Sequence, residues 1–131
     1  MRNTIRVIGL LVAAILLVAG CRTAMVKDVI DAPVVASAQK QPSAEDVQKA
    51  IQRAGAALGW RITPVKPGQL EGVLSLRTHA AVVNITYDAS KYSIRYKDST
   101  NLDYDGKQIH SNYNGWIENL DKGIRTQLLN L

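Results

Sequence analysis

Val73-Leu74-Ser75-Leu76-Arg77-Thr78-His79-Ala80-Ala81-Val82-Val83-Asn84-Ile85-Thr86-Tyr87-Asp88-Ala89-Ser90-Lys91-Tyr92-Ser93-Ile94-Arg95-Tyr96-Lys97 is the stretch that decides the fold. Leu74 and Leu76 alternate with Val73, Ser75 and Arg77. Ala81, Val83, Ile85 and Tyr87 alternate with Val82, Asn84 and Thr86, and Tyr92, Ile94 and Tyr96 with Ser93, Arg95 and Lys97. A period of two sends one set of side chains to a core and the other outward, which reads as three half-buried strands. The links around His79-Ala80 and across Asp88-Ala89-Ser90-Lys91 are short enough for hairpins, so an antiparallel meander is expected. A fourth strand fits Trp60 to Val65, ahead of Lys66-Pro67-Gly68-Gln69, where Pro then Gly suits a type II turn. Pro64 would confine that strand to an edge, because proline has no N–H for a second ladder.

Helical spacing flanks the strands on both sides. Ser43-Ala44-Glu45-Asp46 places a capping hydroxyl three residues before a carboxylate and two acids in a first turn. Val47, Ile51, Ala54 and Leu58 then fall on one stripe, Gln48, Lys49, Gln52 and Arg53 face outward, and Gly59 is a left-handed stop. After an irregular stretch, Tyr113, Trp116, Ile117, Leu120, Ile124 and Leu128 repeat the helical spacing, with Ser111 or Asn112 as the expected cap. The expected class is α+β: a three- or four-stranded antiparallel meander with an N-terminal and a C-terminal helix packed on one face. Residues 43–131 form the expected single domain, large enough to fold without disulfides or metal. A chain of 131 residues is too short for a multidomain enzyme.

The first residues are an address. Arg2 and Arg6 precede an apolar run from Val7 to Ala19 that is relieved only by Gly9, the layout of a secretory signal peptide. The run is shorter than the roughly eighteen residues a spanning helix needs. Val18-Ala19-Gly20-Cys21 resembles the bacterial lipobox, in which small residues admit the lipoprotein signal peptidase and the Cys becomes the new N-terminus. The resemblance implies that residues 1–20 are cleaved and that Cys21 carries a diacylglyceryl group on sulfur and an acyl chain on its amine. No other cofactor is expected. Cys21 is the chain's one cysteine, and acylation would remove an otherwise odd reactive thiol in an exported protein. One myristoyl chain binds membranes only marginally, at about 10⁴ per molar, whereas three chains hold permanently. Arg22 after the Cys resembles the pattern forwarded to the outer membrane. Residues 21–42, with Pro33 and Pro42 and no sustained periodicity, read as the lipidated N-terminus and a tether. As a flexible coil that tether averages roughly 25 Å, although Val29 to Val35 is apolar enough to lie against the domain.

Loss of Arg2 and Arg6 leaves 14 basic against 11 acidic groups, only mildly basic. Nucleic-acid binding needs clustered cations, and export separates the protein from the chromosome, so that role is excluded. The charge suits partners such as an envelope protein or an anionic envelope component, beside the membrane reached through the anchor. Nothing in the pattern speaks to oligomeric state.

A resemblance extends across the domain. Gly59-Trp60, Leu76-Arg77-Thr78-His79-Ala80-Ala81-Val82-Val83, Tyr92-Ser93-Ile94-Arg95-Tyr96-Lys97-Asp98-Ser99, Asn101-Leu102-Asp103-Tyr104 and Ile109-His110-Ser111-Asn112-Tyr113-Asn114-Gly115-Trp116-Ile117 resemble small proteobacterial outer-membrane lipoproteins of unknown function. The resemblance implies a compact periplasmic domain on a lipid anchor at the periplasmic face of the outer membrane, and supplies no catalytic residues.

Several residues are candidates for chemistry or contact. Asn101-Leu102-Asp103-Tyr104-Asp105-Gly106 imitates the start of a calcium loop, but the twelfth position, which should be a bidentate Glu, is Asn112, so a turn held by Asx hydrogen bonds is the preferred reading. His79 and His110 are the only imidazoles, and no nucleophile elbow or zinc-ligand spacing accompanies them. No catalytic, cofactor-binding or metal residue is therefore assigned. The outward row Arg77, Asn84, Thr86, Ser93, Arg95 and Lys97 offers three cations, Arg77, Arg95 and Lys97, as an interaction face, against a plainly solvated surface. Tyr104, Tyr113 and Trp116 would line a groove or, more usually at this spacing, belong to the core. Two functions are weighed: a lipid-anchored, non-catalytic binding or structural module, and a hydrolase-like or metal-dependent envelope enzyme using His110 and the Asp98 to Asp105 loop.

Overall fold

The computed structural model describes residues 22–37 and 40–131. The expected signal peptide and Cys21 lie outside them. In chain order the elements are β1 (Thr23–Met25), β2 (Val29–Pro33), α1 (Ala44–Ala57), β3 (Arg61–Lys66), β4 (Gln69–Leu76), β5 (His79–Tyr87), β6 (Lys91–Thr100), β7 (Gln108–His110) and α2 (Ser111–Leu129). The class is α+β. A five-stranded antiparallel sheet runs β2-β6-β5-β4-β3, and β1 pairs with β7 in a separate two-stranded ribbon. Among the described residues no helix is long and apolar enough to cross a membrane.

The meander β3 to β6 is present, but the sheet is one strand larger than the expected three or four, and the ribbon is an addition. Of the three extra strands, β1 and β2 come from the stretch read as a tether and β7 from the stretch read as irregular. β2 adds to the free edge of β6, pairing Val29 with Ile94 and Ala32 with Tyr92. β1 pairs Thr23 with His110 and Met25 with Gln108. Strands of three and five residues are too short for alternation to register, and their partners lie roughly sixty to ninety positions away, so only the apolar character of Val29 to Val35 points to contact with the domain.

Each long element follows from its residues. Ser43 caps α1 through its hydroxyl on the Asp46 N–H at 3.1 Å, and the Asp46 carboxylate returns the bond to the Ser43 N–H. Those backbone bonds hold the Asp46 carboxyl below its ordinary pKa. Gly59 ends the helix at φ 86°, where a side chain would be strained. Leu58, expected on the buried stripe, is instead the exposed cap residue, and Ala50 and Gly55 complete the stripe. Pro64 does sit on an edge strand. The hairpin between β4 and β5 closes at Leu76 opposite His79, so its turn is Arg77-Thr78, not His79-Ala80. α2 is capped by His110 rather than Ser111 or Asn112: its Nδ1 accepts the Asn112 N–H at 3.2 Å.

Both helices cover one face of the sheet. Val47, Ile51 and Ala54 of α1 and Ile117, Leu120 and Ile124 of α2 enclose Leu70, Ala81, Val83, Ile85 and Ile94. The helices run antiparallel, with Arg53 Nε donating to Gln127 Oε1 and Ala54 close to Gly123. Tyr92 fastens sheet to helix, its phenol donating to Asp121 Oδ1 at 2.5 Å while Arg125 holds the other carboxylate oxygen at 2.8 Å. Burial first and that acceptor second push the Tyr92 phenol far above its ordinary pKa. Both sheet edges are blunted against pairing with other chains: β3 carries Arg61, Pro64 and Lys66, and β2 is bent at Asp31 (φ 51°) and ends at Pro33.

Candidate functional site

Two surfaces remain for function: the open face of the sheet and the pole where the N-terminal segment enters. The open face carries Glu71 beside Asn84 beside Arg95 across three strands. Arg95 donates to Thr86 Oγ1 at 3.3 Å, and Lys97, displaced by a bulge in β6, reaches over β5 to Glu71 at 2.6 Å. Both members of that pair are partly exposed, so it contributes at most about 1 kcal/mol. Asn84 Oδ1 is shielded from solvent with no hydrogen-bond partner among the described residues.

The expected cationic row is only partly assembled. Arg95 and Lys97 share the open face, with Lys97 neutralised by Glu71. Arg77 is not in the row; it occupies the hairpin turn at φ 56°, at one end of the sheet. Ser93, also expected outside, is 2% exposed because β2 lies over it, and its hydroxyl accepts the Asp31 N–H at 2.9 Å.

The pole is built by a chain of hydrogen bonds between segments distant in sequence. The Ser111 N–H donates to the Arg22 carbonyl at 2.9 Å, and the His110 N–H to the Leu102 carbonyl at 2.7 Å. Next to Leu102, the Asn101 carbonyl accepts from His79 Nδ1 at 2.8 Å, and the Asn101 amide donates to the Thr78 carbonyl at 2.8 Å. Arg22, β7, the 101–107 loop and the Arg77-Thr78 turn are thereby tied into one hydrogen-bonded unit. Asn114 fixes the incoming chain from the side, its amide donating to the Met25 carbonyl at 2.8 Å and its carbonyl accepting the Lys27 N–H at 2.9 Å. Lys27 also meets Glu118 at 3.0 Å, and Asp28 Oδ1 accepts the Tyr96 N–H at 3.0 Å. None of these clamps was legible beforehand, although three of the residues, Lys27, Asp28 and Asn114, are polar groups in otherwise apolar or small surroundings.

The two histidines are both held by backbone groups, His79 on Asn101 and His110 on Asn112, and neither has a carboxylate partner among the described residues. The 101–107 loop turns on left-handed Asn101, Asp103 and Gly106. Asp105 Oδ1 accepts the N–H groups of Lys107 and Gln108 at 2.9 and 2.7 Å, an Asx turn that holds its carboxyl below the ordinary range. Among the described residues no three His, Cys, Asp or Glu side chains gather within reach of one metal ion.

The aromatic residues split between core and surface. Tyr113 is fully buried and its hydroxyl has no partner among the described residues; burial drives its pKa far upward. Tyr96 stands edge-on to it at 5.7 Å, and the half-exposed Tyr104 lies over Tyr96 at 4.1 Å. An apolar recess of about 250 Å³ lies elsewhere, between β2 and the end of α2, lined by Ala32, Val35, Arg125 and Leu129.

The chain matches no protein-family model, and no curated protein or solved structure is significantly similar to it.

Proposed function

We propose that the protein is a lipid-anchored cell-envelope lipoprotein whose small domain is a non-catalytic binding or structural module at the periplasmic face of the outer membrane. The observation that carries this reading is the order of residues 1–22: two cations, an apolar run too short to span, Val18-Ala19-Gly20, then Cys21. The domain's build is compatible with that role. Its two imidazoles are occupied as backbone partners, and its open sheet face presents Glu71, Arg95 and Lys97 on a rigid frame to an envelope protein or anionic envelope component.

Mass spectrometry of the mature protein tests the anchor. The expected product begins at Cys21 and carries three acyl chains, and Cys21→Ser should leave an unprocessed or soluble form. A mature product that begins elsewhere, or lacks acyl mass, would refute it. For the module itself, crosslinking in intact cells should recover a bound envelope component that is lost on replacing Arg95 and Lys97 by Glu.

A further inference from the structure

We infer that the pole formed by Arg22, the Leu76-Arg77-Thr78 hairpin end and the start of α2 lies directly against the phosphate head groups of the membrane that holds the protein. The inference rests on the lipid anchor proposed above and adds an orientation to it. A tether of some twenty residues would let the domain tumble, but Arg22 is already held, its carbonyl accepting the Ser111 N–H, and β1 follows at once. Only one Cα–Cα step, about 3.8 Å, separates that fixed residue from Cys21. Head groups occupy roughly 5–7 Å on each side of the hydrocarbon. An acylated Cys21 therefore cannot lift the pole out of the head-group layer while Arg22 stays bonded.

The chemistry of the pole matches that surface. Arg22 and Arg77 are exposed and make no ion pair among the described residues; other cations, including Arg61 and Lys66 on β3, are equally unpaired, so these two are set apart by their place at the anchored pole and not by being free. Guanidinium groups bind phosphate bidentately. Leu76, beside Arg77, is 45% exposed at the tip of a hairpin, an apolar side chain at the height of the glycerol layer. The adjoining loop carries two exposed carboxylates, Asp103 and Asp105, with Lys107 at its end; the Asp105 carboxylate is turned onto the backbone N–H groups of Lys107 and Gln108. The opposite end of the sheet lies eight residues along β5, about 26 Å away, where the Tyr87 N–H meets Gly68 next to Lys66.

The test uses the full lipidated protein in phosphatidylethanolamine–phosphatidylglycerol vesicles containing a lipid with a contact quencher on its head group. Acylation consumes the single native thiol, so Thr78→Cys and Lys66→Cys each supply the sole site for a fluorescent label. The Thr78 label should lose most of its emission and the Lys66 label almost none. Ten Gly/Ser residues inserted between Cys21 and Arg22 allow roughly 17 Å of average reach and should restore at least half of the Thr78 signal while vesicle binding is unchanged. Equal quenching at both sites, or an unquenched Thr78 label on vesicle-bound protein, would overturn the orientation and leave the anchor intact. Protein that stays in the buffer would overturn the anchor and the orientation together.

Discussion

The same substitution, glycine to alanine, should have opposite signs in the two helices. In α2, a Cβ on Gly115 would meet nothing within 4 Å, so only the backbone preference acts, and Gly115→Ala should stabilise by about 0.5–1 kcal/mol. In α1, a Cβ on Gly55 would fall 2.2 Å from Ile62 Cδ1, 2.8 Å from Ile62 Cγ1 and 3.3 Å from Trp60 Cβ. Gly55 is where the helix closes on edge strand β3, and overfilling such a contact costs about 1–3 kcal/mol. Set against the same helix gain, Gly55→Ala should be destabilising by about 1–2 kcal/mol. The closest atom is the far end of Ile62, so Gly55→Ala with Ile62→Val, which removes Cδ1, should recover much of the loss. Urea unfolding of the four variants gives each midpoint, and the double-mutant cycle isolates the coupling of residues 55 and 62. A Gly55→Ala protein as stable as wild type, or a coupling near zero, would refute the close packing of α1 on β3.

Asn114→Ala removes two bonds to the backbone around Met25–Lys27, each worth roughly 1 kcal/mol net of the water that replaces it. Amide exchange at Val26 should quicken about tenfold, with the unfolding midpoint of the whole domain moving little. His110→Ala deletes the α2 cap and should cost about 1 kcal/mol, read as a lower urea midpoint, while His110→Asn should restore most of it. Backbone hydrogen bonds depress the carboxyl pKa values of Asp46, Asp88 and Asp105 below 3.8 in the folded state. The unfolded chain therefore binds protons first: their contribution is present above about pH 4 and fades as pH falls through the depressed values. The acid limb of a urea-midpoint profile should accordingly flatten when all three are changed to Asn.

The parts of the fold legible in the sequence are those whose causes are local. The alternation in β4, β5 and β6 reports which side chains face the helices, because Leu74, Val83 and Ile94 share a face by pleat geometry alone. Ser43 and Asp46 cap α1 through bonds three residues apart, and Pro64 excludes a central position through its own missing donor. Where alternation misleads, a distant segment intervenes. Ser93 has the phase of a surface residue but is covered by β2, which arrives from sixty residues upstream. Arg77 has the phase of the open face but leaves it because the turn begins at Arg77, two residues before the expected His79-Ala80 link.

The candidate sites divide the same way. The order of charge, apolar run, small residues and Cys21 is readable because secretion and acylation act on linear sequence. Where that cysteine would stand relative to the domain is not, since it depends on pairing between Thr23–Met25 and Gln108–His110 and on the two bonds from Asn114. Composition alone made residues 22–42 a loose spacer. Hydrogen bonds closing loops of more than eighty residues turn its first part into structure, and that long-range closure is a property of the packed chain that no window of neighbouring residues contains.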